Sequence, residues 1–109
     1  MSDVDILART IYGEARGEGL IGQQAVANVV LNRMSLADQH PHFGDGTATA
    51  ACQDPWQFSC WNKNDPNSKI LYNVKSDDKI FTQCLQIASD ALNGLLADCT
   101  NGATYFFQY

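Results

Sequence analysis

Residues 22–34 read GQQAVANVVLNRM and predict the central helix of the chain. Alanine, valine and leucine surround this stretch almost completely on a helical wheel, which is typical of a helix buried in the middle of a domain. One narrow polar stripe remains, formed by Gln24, Asn28 and Asn32 at intervals of four residues. Residues four apart share a helix face, so we expect this stripe to meet solvent or a ligand groove.

A helix is also predicted before this stretch. Ser2 and Asp5 have the spacing of a capping box, and apolar residues follow at the 3.6-residue period of a helix. Four glycines crowd the chain from residue 13 to residue 22. Because glycine weakens helices, we expect this first helix to end between Glu14 and Gly19.

The rest of the chain predicts one more helix and a few short strands. Residues 77–96 have a helical apolar face, with Ser76 as the expected N-cap. Short apolar runs predict strands at Gln57–Trp61, Ile70–Val74 and Thr104–Tyr109. We therefore expect an α+β fold that is mostly helical, with a small irregular β region in the middle of the chain.

Length and charge limit the function classes. The 109 residues are enough for a single domain spanning 1–109. The net charge is −5 and the basic residues are scattered, which argues against binding to nucleic acid or to an anionic membrane. Residues 1–5 lack the basic and apolar regions of a signal peptide, so we expect the protein to be cytoplasmic as synthesised.

Residues 12–18, YGEARGE, contain the first candidate for catalysis. Glu14 falls about 60° from Ile11 on a helical wheel, at the edge of the buried stripe. Partial burial raises the pKa of a carboxyl group and lets it act as a general acid near neutral pH. Glu18 would share this face in an unbroken helix, and Arg16 would hold either carboxyl ionised. The alternative, which spacing alone favours, is that both glutamates are surface charges.

The aromatic segment Trp56–Trp61 is a second candidate site. Its rings would form a wall on which sugars stack, with Gln57 and Ser59 bonding to hydroxyl or acetamido groups. The alternative is that the alternating residues Trp56, Phe58 and Cys60 pack one strand face into the core.

Histidine and cysteine offer a weaker zinc alternative. His40, His42, Cys52 and Cys60 would supply four ligands, but the two cysteines lack the spacing of a zinc knuckle. We therefore expect no metal and no other cofactor. The four cysteines of the chain also permit disulfides, and the sequence does not decide whether any form.

Taken together, these motifs resemble the SleB-like cell-wall hydrolases, the family of the spore-cortex-lytic enzymes. The matching text is LARTIYGEARGE at residues 7–18, GQQAVANVVLNR at 22–33, QFSCW at 57–61 and TNGATYF at 100–106. The resemblance runs in order along almost the whole chain. The chain stops soon after the last motif, so its C-terminal end is expected to be shorter than in relatives.

This resemblance implies a lysozyme-like domain that cleaves the bond between N-acetylmuramic acid and N-acetylglucosamine in peptidoglycan glycan strands. It implies Glu14 as the catalytic acid/base and gives Glu18 a less defined catalytic part. The single glutamate favours a lytic transglycosylase, while the second leaves a muramidase open. The expected substrate contacts are Tyr12, Asn28, Gln57, Phe58, Ser59, Trp61 and Tyr105.

Small relatives without signal peptides are phage endolysins, so the resemblance also implies release to the wall through a holin. We expect a monomer. A non-catalytic glycan-binding module remains the alternative from another functional class.

Overall fold

The computed structural model describes residues 1–54 and 58–105. Within these ranges the chain forms helices and turns but no strand. The helices are α1 (Asp3–Ala15), α2 (Gly19–Ser35), α3 (Ala48–Gln53), α4 (Asn67–Asn73) and α5 (Lys79–Leu92), with 3-10 turns at Ala37–Gln39 and Ser59–Trp61. None of the helices in the described ranges is long and apolar enough to cross a lipid bilayer.

Helix α1 begins and ends where the sequence predicts. The Ser2 hydroxyl accepts a hydrogen bond of 3.2 Å from the backbone N–H of Asp5, which caps the first turn. The helix stops at Ala15, and α2 starts at Gly19, three residues earlier than predicted. Gly19 has a φ of +77°, a conformation that favours glycine and permits the sharp change of direction between the two helices.

The centre of the core is α1, not α2 as the apolar pattern predicted. Helix α1 packs against α2, α3, α4 and α5, and its residues Leu7, Ala8, Ile11 and Ala15 are fully buried. Helix α2 is apolar on several sides because it packs against α3 and α5 as well as α1. Contact with several neighbours therefore explains its composition without a central position.

The polar stripe of α2 does not face solvent or a groove. Asn28 is buried, donates to the carbonyl of Ala97 at 3.2 Å and accepts from the backbone N–H of Cys99 at 3.2 Å. Asn32 donates to the carbonyl of Ala103 at 2.9 Å. Asn28 and Asn32 therefore fasten residues 97–103, whose backbone has no regular structure of its own to satisfy its hydrogen-bonding groups.

The predicted strand at Ile70–Val74 is wrong, because residues 67–73 form helix α4. The carboxylate of Asp65 accepts a hydrogen bond of 2.8 Å from the backbone N–H of Asn67 at the start of this helix. A short apolar run fits a strand and a short helix equally well, and the local cap favours the helix.

The other two predicted strands are also absent from the described residues. Residues 59–61 form a 3-10 turn instead, and Gln57 lies outside the described residues. Thr104 and Tyr105 belong to no strand, and residues 106–109 lie outside the described part. The small β region is therefore not seen, and the described chain is helical.

Helix α5 is shorter at both ends than predicted. Its N-cap is Asp78 rather than Ser76, and the Asp78 carboxylate accepts from the backbone N–H groups of Ile80 and Phe81 at 2.9 and 3.1 Å. The helix ends at Leu92 because Gly94 adopts a φ of +74°. Its buried face packs on α1.

Candidate active site

Glu14 lies on the last turn of α1 and is half-buried. Burial raises the pKa of its carboxyl group, because the charged form loses hydration. Hydrogen bonds from Cys60 act in the opposite direction, the charge of Asp65 raises the pKa, and the charge of Arg33 lowers it. Burial is the largest of these effects, so Glu14 holds a proton at higher pH than an exposed glutamate does.

Cys60 reaches Glu14 because residue 13 is a glycine. A Cβ atom on Gly13 would lie 3.0 Å from the Cβ and 3.1 Å from the Sγ of Cys60, and 3.1 Å from a methyl group of Leu71. Those distances are tighter than ordinary van der Waals contact. The absence of a side chain at Gly13 therefore lets the turn at residues 59–61 approach α1 closely.

Trp61 anchors the same turn to α1. Its indole N–H donates to the hydroxyl of Thr10 at 2.8 Å, and Thr10 in turn donates to the carbonyl of Ile6 at 2.8 Å. Both Trp61 and Thr10 are buried. This network holds the turn at residues 59–61 against α1, where Cys60 contacts the carboxyl group of Glu14.

A cavity of about 260 Å³ opens beside the C-terminal end of α1. The described residues that line it are Gly13, Arg16, Gly17 and Asn67. Glu14 is not one of them, but it follows the lining residue Gly13 directly on the last turn of α1. Asp65 and Asn67 lie two residues apart. The charge of Asp65 acts on the carboxyl group of Glu14, and Asn67 lines the cavity, so one short segment borders both.

Arg16 does not form the ion pair with a glutamate that the sequence suggested. Its guanidinium donates to the side-chain oxygen of Asn67 at 2.8 Å and to the carbonyl of Tyr12 at 3.4 Å. It also lies 5.4 Å from the centre of the Tyr12 ring. Arg16 therefore joins α1 to α4 at the rim of the cavity.

Glu18 does not share a helix with Glu14. It is the N-cap residue of α2, beyond the end of α1, and its side chain is exposed. A Cβ on Gly22 would lie 2.5 Å from the Cβ of Glu18, so the glutamate rests against the first turn of α2. Its catalytic part stays a prediction.

Arg33 is a site residue that the sequence reasoning missed. It is 1% exposed, and its Nε–H donates to the carbonyl of Thr104 at 2.6 Å. Its guanidinium carbon lies 4.4 Å from the ring centre of Phe58 and 5.4 Å from that of Tyr105. One terminal nitrogen, Nη1, is buried and has no hydrogen-bond partner among the residues that the structure describes. Burial lowers the Arg33 pKa, and the charge of Glu14 opposes that change.

A signal for Arg33 was present in the sequence. Val26, Val30 and Arg33 fall at i, i+4 and i+7, so the arginine occupies the buried face of α2. An arginine on an apolar face is almost never buried unless it is paired. That pattern predicts a buried cation with specific partners.

The predicted substrate contacts fall into two groups. Phe58, Trp61 and Asn28 are buried in contacts within the protein, and for Phe58 this is what the core-packing alternative expected. Tyr12 is also buried, and its hydroxyl donates to Asp78 at 2.8 Å. The exposed members are Ser59 and Tyr105, and Gln57 lies outside the described residues.

The alternative zinc set is not assembled. His40 stacks on Phe43, with ring centres 4.2 Å apart, while His42 lies 3.6 Å from the carboxylate of Asp54. Cys52 is fully buried, where loss of hydration raises its pKa to about 12. Across residues 1–54 and 58–105, no three histidine, cysteine or acidic side chains are grouped so as to hold a metal ion. All four cysteines are free thiols.

Comparison with known proteins places the chain in a family. The model of the family described as Cell Wall Hydrolase matches residues 17–109, a segment that begins just after Glu14. The chain is 53% identical to the spore cortex-lytic enzyme of Bacillus subtilis, across 98% of this chain and 30% of that protein. It is 50% identical to the spore cortex-lytic enzyme of Bacillus cereus, across 98% of this chain and 35% of that protein.

A third relative, the spore cortex-lytic enzyme of Halalkalibacterium halodurans, is 32% identical over 98% of this chain and 27% of its own length. The chain thus spans about a third of the length of these curated relatives. No solved structure matches it. The family match and the three relatives confirm the resemblance seen in the sequence motifs: this chain belongs to the cell wall hydrolase family.

Proposed function

We propose that this chain degrades peptidoglycan by cleaving the bond between N-acetylmuramic acid and N-acetylglucosamine, with Glu14 as the acid/base. The observation that carries the proposal is the half-buried Glu14 carboxyl, whose pKa is raised by burial beside a cavity. A carboxyl group with a raised pKa keeps its proton to higher pH than an exposed glutamate does, which suits a general acid. Membership of the cell wall hydrolase family and the names of the relatives support the substrate class.

The surroundings of Glu14 suit both halves of a lytic transglycosylase reaction. The protonated carboxyl donates its proton to the glycosidic oxygen, and the bond from that oxygen to C1 of the muramic acid breaks. The resulting carboxylate removes the proton of the C6 hydroxyl, whose oxygen bonds to C1 and closes a 1,6-anhydro ring. Hydrogen bonds from Cys60 and the positive charge of Arg33 favour the carboxylate between these steps.

A muramidase of lysozyme-like fold is the second candidate, and Asp65 favours it. Hydrolysis with two carboxyl groups needs a second one near the acid. Asp65 is the acidic residue whose charge raises the pKa of Glu14, whereas Glu18 sits on another helix. In that reaction Asp65 or Glu18 would activate water or stabilise the positive charge that develops on the sugar.

The products and two matched variants test this proposal. Wild-type protein is incubated with purified sacculi, and the released fragments are identified by mass spectrometry. Anhydro-muropeptides support the transglycosylase, and reducing ends support the muramidase. We expect Glu14→Gln to lower turnover by about 10²- to 10⁴-fold, the usual contribution of a general acid. Loss of activity in Asp65→Asn as well, with reducing-end products, indicates a two-carboxylate hydrolase.

Two results would refute the assignment. Glu14→Gln that lyses sacculi at nearly the wild-type rate removes Glu14 from the chemistry. Wild-type protein that binds sacculi without clearing turbidity or releasing fragments indicates a glycan-binding module instead. Thermal unfolding of each variant shows whether a loss of turnover reflects a loss of fold.

A further inference from the structure

We propose that the cavity beside α1 binds the lactyl substituent of N-acetylmuramic acid, with Arg16 holding its carboxyl group. The inference rests on the proposed function, because it identifies which part of the glycan the cavity takes. The lactyl ether is the substituent that distinguishes muramic acid from glucosamine. A site for it would make the position of cleavage along the alternating strand specific.

The lining of the cavity fits one anionic or strongly polar substituent. Gly13 and Gly17 contribute backbone, and Arg16 is the one charged side chain among the described lining residues. An arginine carries five N–H donors, and the bonds to Asn67 and to the Tyr12 carbonyl occupy two of them. Its planar guanidinium matches the two oxygens of a carboxylate.

The volume of the cavity suits the binding of one sugar substituent better than the binding of a whole disaccharide. Pockets that enclose whole small molecules measure about 300–1,000 Å³, and this one is about 260 Å³. At Gly17 a Cβ atom would meet no atom of the other described residues within 4 Å, so the space where a side chain would begin is open on that side. A ligand can therefore reach the backbone at this point.

The position of the cavity agrees with the chemistry at Glu14. The lactyl ether is attached to C3 of the same ring whose C1 is released, so its site must adjoin the acid/base. Gly13 and Gly17 line the cavity and lie on either side of Glu14 in the sequence. The chain carries a net charge of −5, so an anionic group needs a local cation such as Arg16 to bind.

The lactyl carboxyl occurs in two chemical forms. In strands without peptides it is a free carboxylate, and in peptide-bearing strands it is the carbonyl of an amide. Charge-assisted hydrogen bonds are roughly twice as strong as neutral ones, so Arg16 should favour the carboxylate form. This difference separates recognition by Arg16 from general affinity for the glycan.

Calorimetric titration with two synthetic ligands tests the inference. The Glu14→Gln protein, which avoids turnover, is titrated with a peptide-free tetrasaccharide of alternating N-acetylglucosamine and N-acetylmuramic acid, and with its methylamide. We expect tighter binding of the carboxylate. Arg16→Gln in the same background should weaken carboxylate binding about 10- to 100-fold and abolish the preference. Arg16→Lys, which keeps the charge but loses the planar fork, should fall between them.

Arg9→Gln is the matched control. Arg9 also joins α1 to α4, since it donates to the carbonyls of Leu71 and Val74 at 2.6 and 2.9 Å, but it does not line the cavity. The control should keep the preference for the carboxylate. An unchanged preference in Arg16→Gln, or an equal loss in Arg9→Gln, overturns the inference. Failure of wild-type protein to cleave sacculi, with the Arg16-dependent preference intact, refutes the proposed function alone.

Discussion

Cys60 donates hydrogen bonds from both its backbone N–H and its thiol to the carboxyl group of Glu14. Burial raises the pKa of this carboxyl, and the two donors counteract part of that increase. The acidity of a residue on α1 is therefore adjusted by a turn that follows it by more than forty residues in the sequence. Burial and the nearby carboxyl group also raise the pKa of the thiol, which keeps Cys60 protonated and able to donate.

Removal of the thiol should change how activity depends on pH. In Cys60→Ala, Glu14 loses a donor that favours its charged form, so its pKa rises further. Activity that needs protonated Glu14 should then persist to higher pH than in the wild type. The rate of sacculus lysis, measured across a pH series, checks this shift.

Cys84→Ala is the control for that experiment. Cys84 is buried like Cys60, but its pKa responds to burial and to Asp78 rather than to Glu14. Its pH profile should match the wild type. A Cys60→Ala profile that does not move, or moves to lower pH, would show that the thiol does not adjust Glu14.

Glu14→Gln should also alter stability in a pH-dependent way. The folded-state pKa of Glu14 lies above the unfolded value, so between the two the folded state binds more protons and the wild type loses stability as pH rises. Glutamine has the same shape and no charge to desolvate. The variant should gain stability relative to wild type between acidic and neutral pH.

Urea unfolding at pH 4 and pH 7 measures this gain. The difference in the free energy of unfolding between variant and wild type should be larger at pH 7. A difference that is the same at both pH values would mean that the Glu14 pKa is not raised in the folded protein.

Gly13→Ala should reduce both stability and activity. The new Cβ would meet Cys60 and Leu71 at about 3.0–3.1 Å, so the turn at residues 59–61 must move away from α1. Forcing extra atoms into a packed core costs about 1–3 kcal/mol. Chemical denaturation gives the stability, and the same preparation gives the lytic rate.

Gly17→Ala separates this effect from the general consequence of replacing a glycine. A Cβ atom at Gly17 would meet none of the other described residues within 4 Å, so the free energy of unfolding of Gly17→Ala should stay within about 0.5 kcal/mol of wild type. Equal destabilisation of both variants would contradict the close approach of Cys60.

Asn28→Ala should release residues 97–103 from α2. The substitution leaves the carbonyl of Ala97 and the N–H of Cys99 without their side-chain partner. Ala97 and Cys99 are exposed, so water can reach the freed groups, and each lost hydrogen bond should cost about 0.5–1.5 kcal/mol. Hydrogen exchange of the amides in this segment should become faster, and the free energy of unfolding should fall.

Asn73→Ala is the comparison for Asn28. Asn73 is exposed, and its amide bonds locally to the carbonyl of Lys69. We expect a change within about 0.5 kcal/mol and unchanged exchange in residues 97–103. If Asn28→Ala behaves in the same way, the amide stripe does not hold the segment.

Long periodic helices were predictable from the sequence, and short elements were not. The apolar period and the capping box located α1, most of α2 and all of α5, although the predicted third helix extended beyond both ends of α5. Helix α4 has seven residues, too few for the period to separate it from a strand. The polar stripe of α2 was located correctly, but its partner segment lies about seventy residues away and cannot be inferred from helical spacing.

The candidate site follows the same division. The helical wheel predicted the half-buried position of Glu14, because that depends on one helix alone. The surroundings of Glu14 depend on more than α1, because Cys60 and Arg33 come from other elements and only the packed structure brings them together. The aromatic segment at residues 56–61 gave an ambiguous pattern because stacking on sugars and packing in a core use the same side chains. The activity of the protein, its release to the wall and its oligomeric state stay predictions.

The bond from Arg33 to the carbonyl of Thr104 joins residues 71 positions apart. Since a ribosome adds residues in order, α2 is complete long before its buried cation acquires this acceptor. Until residue 104 has emerged, Arg33 has neither that oxygen nor the Tyr105 ring beside it, and water must hydrate it instead. The contacts of Arg33 with Thr104 and Tyr105 therefore form only after the chain has been extended by more than seventy residues beyond this arginine.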